Sequence, residues 1–340
     1  MSINILQWNL NGYINNFHEL QLIIRDINPH VICLQETHFP YNTDNIIVPK
    51  GYSGYFSNLP SNNSSKQGVA ILIKKCIPHR HIPCNLNIAT ICVEINIDFN
   101  FLILNSYISP QQRFSNSDLC SISSIATIPF FLLGDFNAWS PFWGSSKSND
   151  RGKIIEDFVI CEDLMVLNNG SPTHLSTHGT FTTVDLSFCS PILASKCTWE
   201  TLENLHGSDH YPVNILLAST LKYEHIKPQK KFKTDLANWS YYQNLCVDFS
   251  DKSHVSNNIN QEAAKLTKIL RSAANKSIPQ TKSVYVKATL PWWNSDLQAL
   301  RDAKQLSWQD FKKVRSNENL IVYKKANALF KKKNQRSKTS

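Results

Sequence analysis

A chain of 340 residues with 42% hydrophobic, 11% aromatic and 18% charged residues can bury a sizeable core, which excludes wholesale disorder and leaves room for one large domain with an appendage or for two domains. Its net charge of +9 is split: residues 1–220 hold 11 Lys and Arg against 17 Asp and Glu, a balance of −6, and residues 221–340 hold 24 against 9, or +15. Segments of opposite sign usually do different jobs. The longest apolar stretch, "IPFFLLG", is far short of the roughly twenty residues of a membrane span, and "MSINILQWNLNGY" lacks the basic and apolar regions of a secretory signal. The nine cysteines are scattered, without a CxxC, and most sit in apolar strands. That pattern argues for buried free thiols, with neither a disulfide scaffold nor a zinc site.

In chain order, "INILQWNL" reads as a strand and "HELQLIIRDI" as a helix with Leu20, Ile23, Ile24 and Ile27 on one face. The strands "VICLQE", "GVAILIKK", "TICVEINI" and "NFLILNSYI" follow, separated by Pro, Asn, Ser and Gly clusters. In "TICVEINI" the alternation of Ile91, Val93, Ile95 and Ile97 predicts one buried face and one exposed face. After the apolar "FFLLGD" comes a helix with Ile154, Ile155, Phe158 and Val159 on one side, then "MVLNN", "TFTTVDLSF" and "HYPVNILL". Many strands with sparse helices predict two packed sheets with helices outside, an α+β sandwich.

From about residue 221 the pattern changes. Ala263, Leu266, Ile269, Leu270 and Ala273 have helical spacing, with Pro279 beyond the end, and "NSDLQALRDAKQLSWQDFKKVR" and "NLIVYKKANALFKKKNQR" read as two further helices rich in Lys and Arg. Residues 221–340 are expected to be a basic helical appendage to a domain spanning 1–220. Lys-rich helices are commonly only solvated faces; a phosphate-binding arm is the functional alternative, since an acidic half acting on a polyanion needs positive charge from elsewhere. Trp292, Trp293 and Trp308 could stack on bases, and core packing is the plainer reading.

Polar residues recur at the ends of the apolar strands: Asn9 and Asn11 after "ILQW", Glu36 closing "VICLQE", Tyr107 in "LILNSYI", Asp135 and Asn137 in "GDFNAWS", Asp185 in "TTVDLSF", and Ser208, Asp209 and His210 before "YPVNILL". Singly, each has an ordinary reading as a turn former or helix cap. Together, four carboxylates and an imidazole at strand ends suit a hard divalent cation, which prefers oxygen ligands, and phosphodiester hydrolysis, in which metal and imidazole meet developing phosphate charge while a carboxylate activates water.

The ordered set "QWNLNG", "VICLQET", "GVAILIKK", "SYISP", "GDFNAWSPFWGS", "LMVLNNGSPTHLS", "TTVDLSFCSP" and "SDHYPV" resembles the endonuclease/exonuclease/phosphatase superfamily, and within it the endonuclease of jockey-type non-LTR (LINE-type) retrotransposons, across essentially all of residues 1–220. The resemblance implies a four-layered α/β sandwich of two mixed sheets flanked by helices. It implies Glu36 as main metal ligand, with Asn11 and Asp209 at the same ion or a second one. Asp135 would orient and deprotonate the attacking water beside Asn137. Asn9 and Tyr107 would contact the scissile phosphate, with Asn137 also on the substrate side, and Asp185 would hold His210 through one ring nitrogen. The cofactor implied is Mg²⁺, with Mn²⁺ as an alternative.

Two positions depart from the pattern. The apurinic-site repair branch carries an amide three residues after its catalytic tyrosine, where this chain has Pro110, which favours the retrotransposon branch. Members often carry a basic or imidazole residue after "GDFNA", where this chain has Trp139. "PWWNSDLQALRDAKQ" at 291–305 resembles the segment leading to the reverse transcriptase of such elements, and no "YXDD" polymerase signature is present. The function implied is a metal-dependent DNA endonuclease leaving a 3′-hydroxyl that primes reverse transcription. Its partners would be DNA, with element RNA and a reverse transcriptase as further ones, and no membrane; the nucleus would be its location. Two alternatives stay open: a phosphatase or phosphodiesterase of the same fold acting on a small phosphorylated molecule, and an inactive remnant that binds nucleic acid.

Overall fold

The computed structural model describes residues 2–39, 46–57, 68–176, 179–219, 232–250, 258–280 and 292–339. Runs of Val, Ile, Leu and Phe, which fit a pleated buried surface, pair into two mixed six-stranded sheets. The first contains β1 (Ser2–Asn9), β2 (Val31–Gln35), β3 (Tyr52–Ser57), β4 (Val69–Lys74), β13 (Cys197–Thr201) and β14 (Val213–Ala218), in the order β13-β14-β1-β2-β4-β3. The second contains β5 (His79–Ile82), β6 (Ala89–Asn96), β7 (Asn100–Tyr107), β8 (Phe130–Asp135), β9 (Met165–Val166) and β12 (Asp185–Cys189), in the order β5-β6-β7-β8-β12-β9. A hairpin of β10 (His174–Leu175) and β11 (Phe181–Thr182) completes the strands of the described residues.

Each sheet has one parallel pair at its centre, β1 with β2 and β7 with β8. Helix α1 (Tyr13–Ile27) covers the outer face of the first sheet, where Leu20 and Ile23 pack on Leu6, Trp8, Ile32 and Leu34. Helices α2 (Asn116–Ser123) and α3 (Asp150–Cys161) cover the second, through Leu119, Ile122, Ile155 and Phe158; a short α4 spans Pro191–Ala194. Strand β6 is therefore not half exposed as its alternation predicts: Cys92, on the face opposite Ile91 and Val93, lies in the core under α2 and α3. Of the nine cysteines, all free, Cys33, Cys92 and Cys189 are buried and Cys161 is exposed, so burial of thiols is less general than their strand settings predict.

Polar side chains tie the sheets together across the buried interface. Gln7 Nε2 donates to the Gly134 carbonyl at 3.0 Å, and Gln35 Nε2 donates to Asn105 Oδ1 at 2.6 Å. Buried amides are costly unless satisfied, so these bonds fix how one sheet sits on the other, and with it the relation of Asn9 to Asp135.

Residues Met1–Lys222 and Ala288–Ser340 pack as one compact unit, and Tyr223–Lys287 as another. The composition break at residue 220 is thus not the packing boundary. Helices α7 (Ser295–Lys313) and α8 (Asn317–Thr339) belong with the sandwich: Leu297 and Phe330 pack on Leu22 of α1, and Trp308, Phe311, Leu320 and Tyr323 on Leu175, Leu205 and Tyr211. Trp308 is 2% exposed, a core residue. In the second unit, α5 (Trp239–Ser250) and α6 (Ile259–Ser277) are joined at their base by the Asn238 N–H donating to the Ser277 carbonyl at 3.0 Å. None of the described helices is long and apolar enough to cross a membrane.

Candidate active site

Strand register gathers the predicted residues. Asp135, last in β8, pairs with Tyr107 at the end of β7 on one side and with Asp185 at the start of β12 on the other. In the facing sheet Asn9 pairs with Gln35, one residue before Glu36. Asn9 Nδ2 donates to Asp135 Oδ2 at 2.9 Å, and the backbone N–H of Asn137 donates to Asp135 Oδ1 at 3.0 Å. Asn9 Oδ1 accepts from the Asn11 N–H at 3.2 Å, and Asn11 Nδ2 donates to Asp209 Oδ1 at 3.3 Å. Tyr107 Oη donates to Glu36 Oε1 at 2.8 Å. His210 Nδ1 meets Asp185 Oδ2 at 2.8 Å while its Nε2 lies 4.0 Å from Asp135 Oδ2.

All nine residues given a role from the sequence stand at one end of the sandwich, linked by these contacts. Asn11, Glu36 and Asn137 have φ values of 50°, 49° and 49°. Asparagine tolerates this left-handed region; for Glu36 it is a strained conformation of the kind that costs about 1–3 kcal/mol and clusters at functional sites.

The electrostatics set the Asp135 carboxyl and the His210 imidazole apart. Burial, then the neighbouring Asp185 charge, pushes the Asp135 carboxyl up to about 7 against the pull of His210. Burial opposes the charge on His210, but Asp185, Asp135 and Asp209 outweigh it and hold the imidazole up at about 10. For Asp209 and Glu36 burial is overcome by hydrogen-bonding and charged neighbours, and both carboxyls lie below the usual range.

The profile of the endonuclease/exonuclease/phosphatase family matches residues 6–210, which include every one of these side chains. The chain belongs to that family. It is 29% identical over 237 residues to the RNA-directed DNA polymerase from mobile element jockey of Drosophila melanogaster, covering 67% of this chain and 25% of the relative. It is 24% identical over 286 residues to the probable RNA-directed DNA polymerase from transposon X-element of the same organism, covering 81% of this chain and 30% of the relative. The chain thus matches no more than about a third of either relative's length. Among solved structures, the endonuclease domain of TRAS1, a telomere-specific non-LTR retrotransposon, superposes with a TM-score of 0.55 at 19% identity, covering 64% of this chain and 99% of that one.

The family is divalent-metal dependent, and the donors here fit such an ion. Asn11, Glu36 and Asp209 offer amide and carboxylate oxygens, the set a hard cation takes, beside a buried carboxyl that its neighbours' negative charge already disfavours. Among the described residues, two clusters bring three ligand atoms within 4.8 Å of one another: His174, Asp209 and His210, and Asp135, Asp185 and His210. Glu36 is in neither; its carboxylate is engaged by Tyr107 and lies 3.4 Å from His38 Nε2. Both clusters depend on His210, whose Nδ1 is already held by Asp185, so they read as a proton network more readily than as cation cages.

Two residues at the site carry roles that strand-end spacing does not reveal. The His174 ring packs against that of His210 with centroids 4.5 Å apart and planes tilted by 49°, and its Nε2 lies 3.8 Å from Asp209 Oδ2; "PTHLS" carries no signal that would single it out. Arg151 donates to the carbonyls of Ile108 and Gln112 after β7 at 3.0 and 2.8 Å, and to that of Phe136 after β8 at 2.6 Å. It clamps the two loops that follow Tyr107 and Asp135. A signal existed here: an arginine in the first turn of a helix opposes the macrodipole, and so asks for a reason. At the departure site, the Lys147 ammonium lies 5.6 Å over the Trp139 ring.

Proposed function

We propose that this domain is a DNA endonuclease that hydrolyses a phosphodiester and leaves a 3′-hydroxyl, the end from which reverse transcription of element RNA is primed. The observation that carries the reading is the opposition of Asp135 and His210. At neutral pH a carboxyl near its midpoint faces, across 4.0 Å, an imidazolium held by a second carboxylate. Asp135 takes the proton of the attacking water, oriented by Asn9 and by the Asn137 backbone. His210 donates from Nε2 to a phosphate oxygen as its charge develops, while Asp185 stabilises the imidazolium. Tyr107, Asn9 and Asn137 hold the scissile phosphate.

We assign Glu36, Asn11 and Asp209 as the holders of the divalent ion, Mg²⁺ with Mn²⁺ as substitute. When bound, that ion supplies Lewis-acid stabilisation of the phosphate oxygens. DNA as substrate is supported by the likeness to the jockey polymerase and the TRAS1 endonuclease domain; element RNA, a reverse transcriptase and a nuclear location follow from the same reading. The test is conversion of supercoiled plasmid to open circles with Mg²⁺, with chelator, and by Asp135→Ala. Metal-dependent nicking absent from the variant is expected. Hydrolysis of a soluble phosphomonoester with no nicking would overturn the substrate assignment in favour of a phosphatase, and neither activity would leave a binding remnant.

A further inference from the structure

We infer that the α7–α8 hairpin is a positioning element of the active site, acting through Lys304, Trp308 and Lys331 on the loop that delivers Asp209 and His210. The inference rests on the roles assigned above to those two residues. The loop approaches them through a sharp reversal: His206 and Gly207 have φ values of 50° and 87°. Backbone in this region persists only where its surroundings over-determine it.

Much of that determination comes from the hairpin. Trp308 Nε1 donates to the Glu203 carbonyl at 2.8 Å, and Lys331 Nζ donates to the Gly207 carbonyl at 2.8 Å. Lys304 Nζ reaches Glu19 Oε1 of α1 at 3.3 Å, and the other oxygen of Glu19 meets His206 Nδ1 at 3.1 Å. The approach is close enough that a Cβ on Gly207 would lie 3.3 Å from Lys331 Cε. The chain then passes directly into the site. The Ser208 hydroxyl donates to the Asn9 carbonyl at 2.7 Å and accepts the His210 N–H at 3.1 Å.

The buried lysine is the telling feature. Lys304 and Glu19 are each 1% exposed, and a buried ion pair often contributes no more stability than apolar residues of the same volume. A charge pair does, however, set one register. Apolar contacts such as Leu297 on Leu22 allow sliding, whereas Lys304 on Glu19 does not, and Glu19 passes that register to His206. The hairpin thus aligns the His210 loop, as well as adding apolar burial.

The experiment uses the full chain with Lys331→Met, Lys331→Arg and Lys304→Met. Nicking is measured as kcat and KM, and amide hydrogen exchange is read at residues 203–210 and in α3 on the far side of the sandwich. Losing one charge-assisted bond to the loop should lower kcat about tenfold in Lys331→Met with KM unchanged, and Lys331→Arg should restore it. Exchange at 203–210 should quicken in both Met variants while α3 is unaffected. Unchanged kcat and unchanged exchange at 203–210, or faster exchange spread evenly to α3, would overturn the inference and leave the hairpin a general stabiliser. If the unaltered chain nicks no DNA but exchange quickens only at 203–210, the endonuclease reading falls and the positioning role stands.

Discussion

Gly134→Ala should separate the two halves of the candidate site, because a backbone atom stands where the new methyl would go. A Cβ at Gly134 would lie 2.0 Å from the Ser106 carbonyl oxygen and 2.9 Å from its carbon, where ordinary contact begins at 3.4 Å. Relief needs β7 and β8 to part by roughly 1.4 Å, about a third of the normal ~4.8 Å strand spacing. That breaks about two ladder hydrogen bonds at ~1 kcal/mol each and adds overpacking strain of about 1–3 kcal/mol. A loss of about 3–5 kcal/mol corresponds to a fall in Tm on the order of 10 °C for a domain of this size. Because Ser106 and Gly134 pair one residue before Tyr107 and Asp135, nicking should be lost at temperatures where the variant is still folded. Circular dichroism melting and plasmid nicking measure both effects. Adding Ser106→Gly should not rescue either, since the obstructing atom is backbone. A Tm within about 2 °C of the parent with full nicking would refute the reasoning.

Asp185→Asn keeps the shape at His210 but removes the largest favourable influence on its charged form, so nicking should fall by about 10²–10⁴-fold. In the parent, nicking should rise with pH as Asp135 loses its proton near 7 and fall as His210 loses its own near 10; in the variant the alkaline limb should move to lower pH, and an unmoved limb would count against the assignment. A separate pH effect should appear in stability. Burial alone would raise the Glu19 carboxyl, but Lys304 and His206 hold it below the usual range, so its contribution is present above the unfolded value of about 4.3 and fades as pH falls. Urea midpoints should therefore decline from pH ~5 downward in the parent and less steeply in Glu19→Gln; parallel curves would show that Glu19 is not responsible. Finally, changing the exposed Lys324, Lys325 and Lys332 of α8 to Gln should shallow the slope of log affinity for duplex DNA against log salt by up to ~0.9 for each phosphate no longer neutralised. Equal slopes at equal Tm would place the DNA elsewhere.

The strand-end residues were legible because their pattern is local: a buried strand that closes on Asp135 or Glu36 is anomalous in any fold, and an ordered series of such endings suits little besides a site built across several strands. Edge strands were less so. The strands β3, β5 and β13 carry Ser, Gly, His and Glu among their apolar residues, and such mixed segments become strands only once β4, β6 and β14 offer them a ladder. His174 was invisible as a site residue because its partners, Asp209 and His210, are distant in sequence, whereas Arg151 left only the indirect signal of a cation in the first turn of a helix. On α1, periodicity found the face bearing Leu20 and Ile23, but Glu19 and Leu22 are buried as well, under a hairpin nearly three hundred residues later in the chain.

By itself, then, the sequence determined which residue types end the strands and where the helices of clear apolar periodicity run, since both follow from spacing along the chain; α2 and α5 lacked such a signal. Tertiary structure decided that the +15 half is not one appendage: α7 and α8 join the sandwich, and Lys304 within them is buried. A lysine in a basic helix reads as solvated until a carboxylate from another element comes within reach, and only the folded chain supplies that carboxylate.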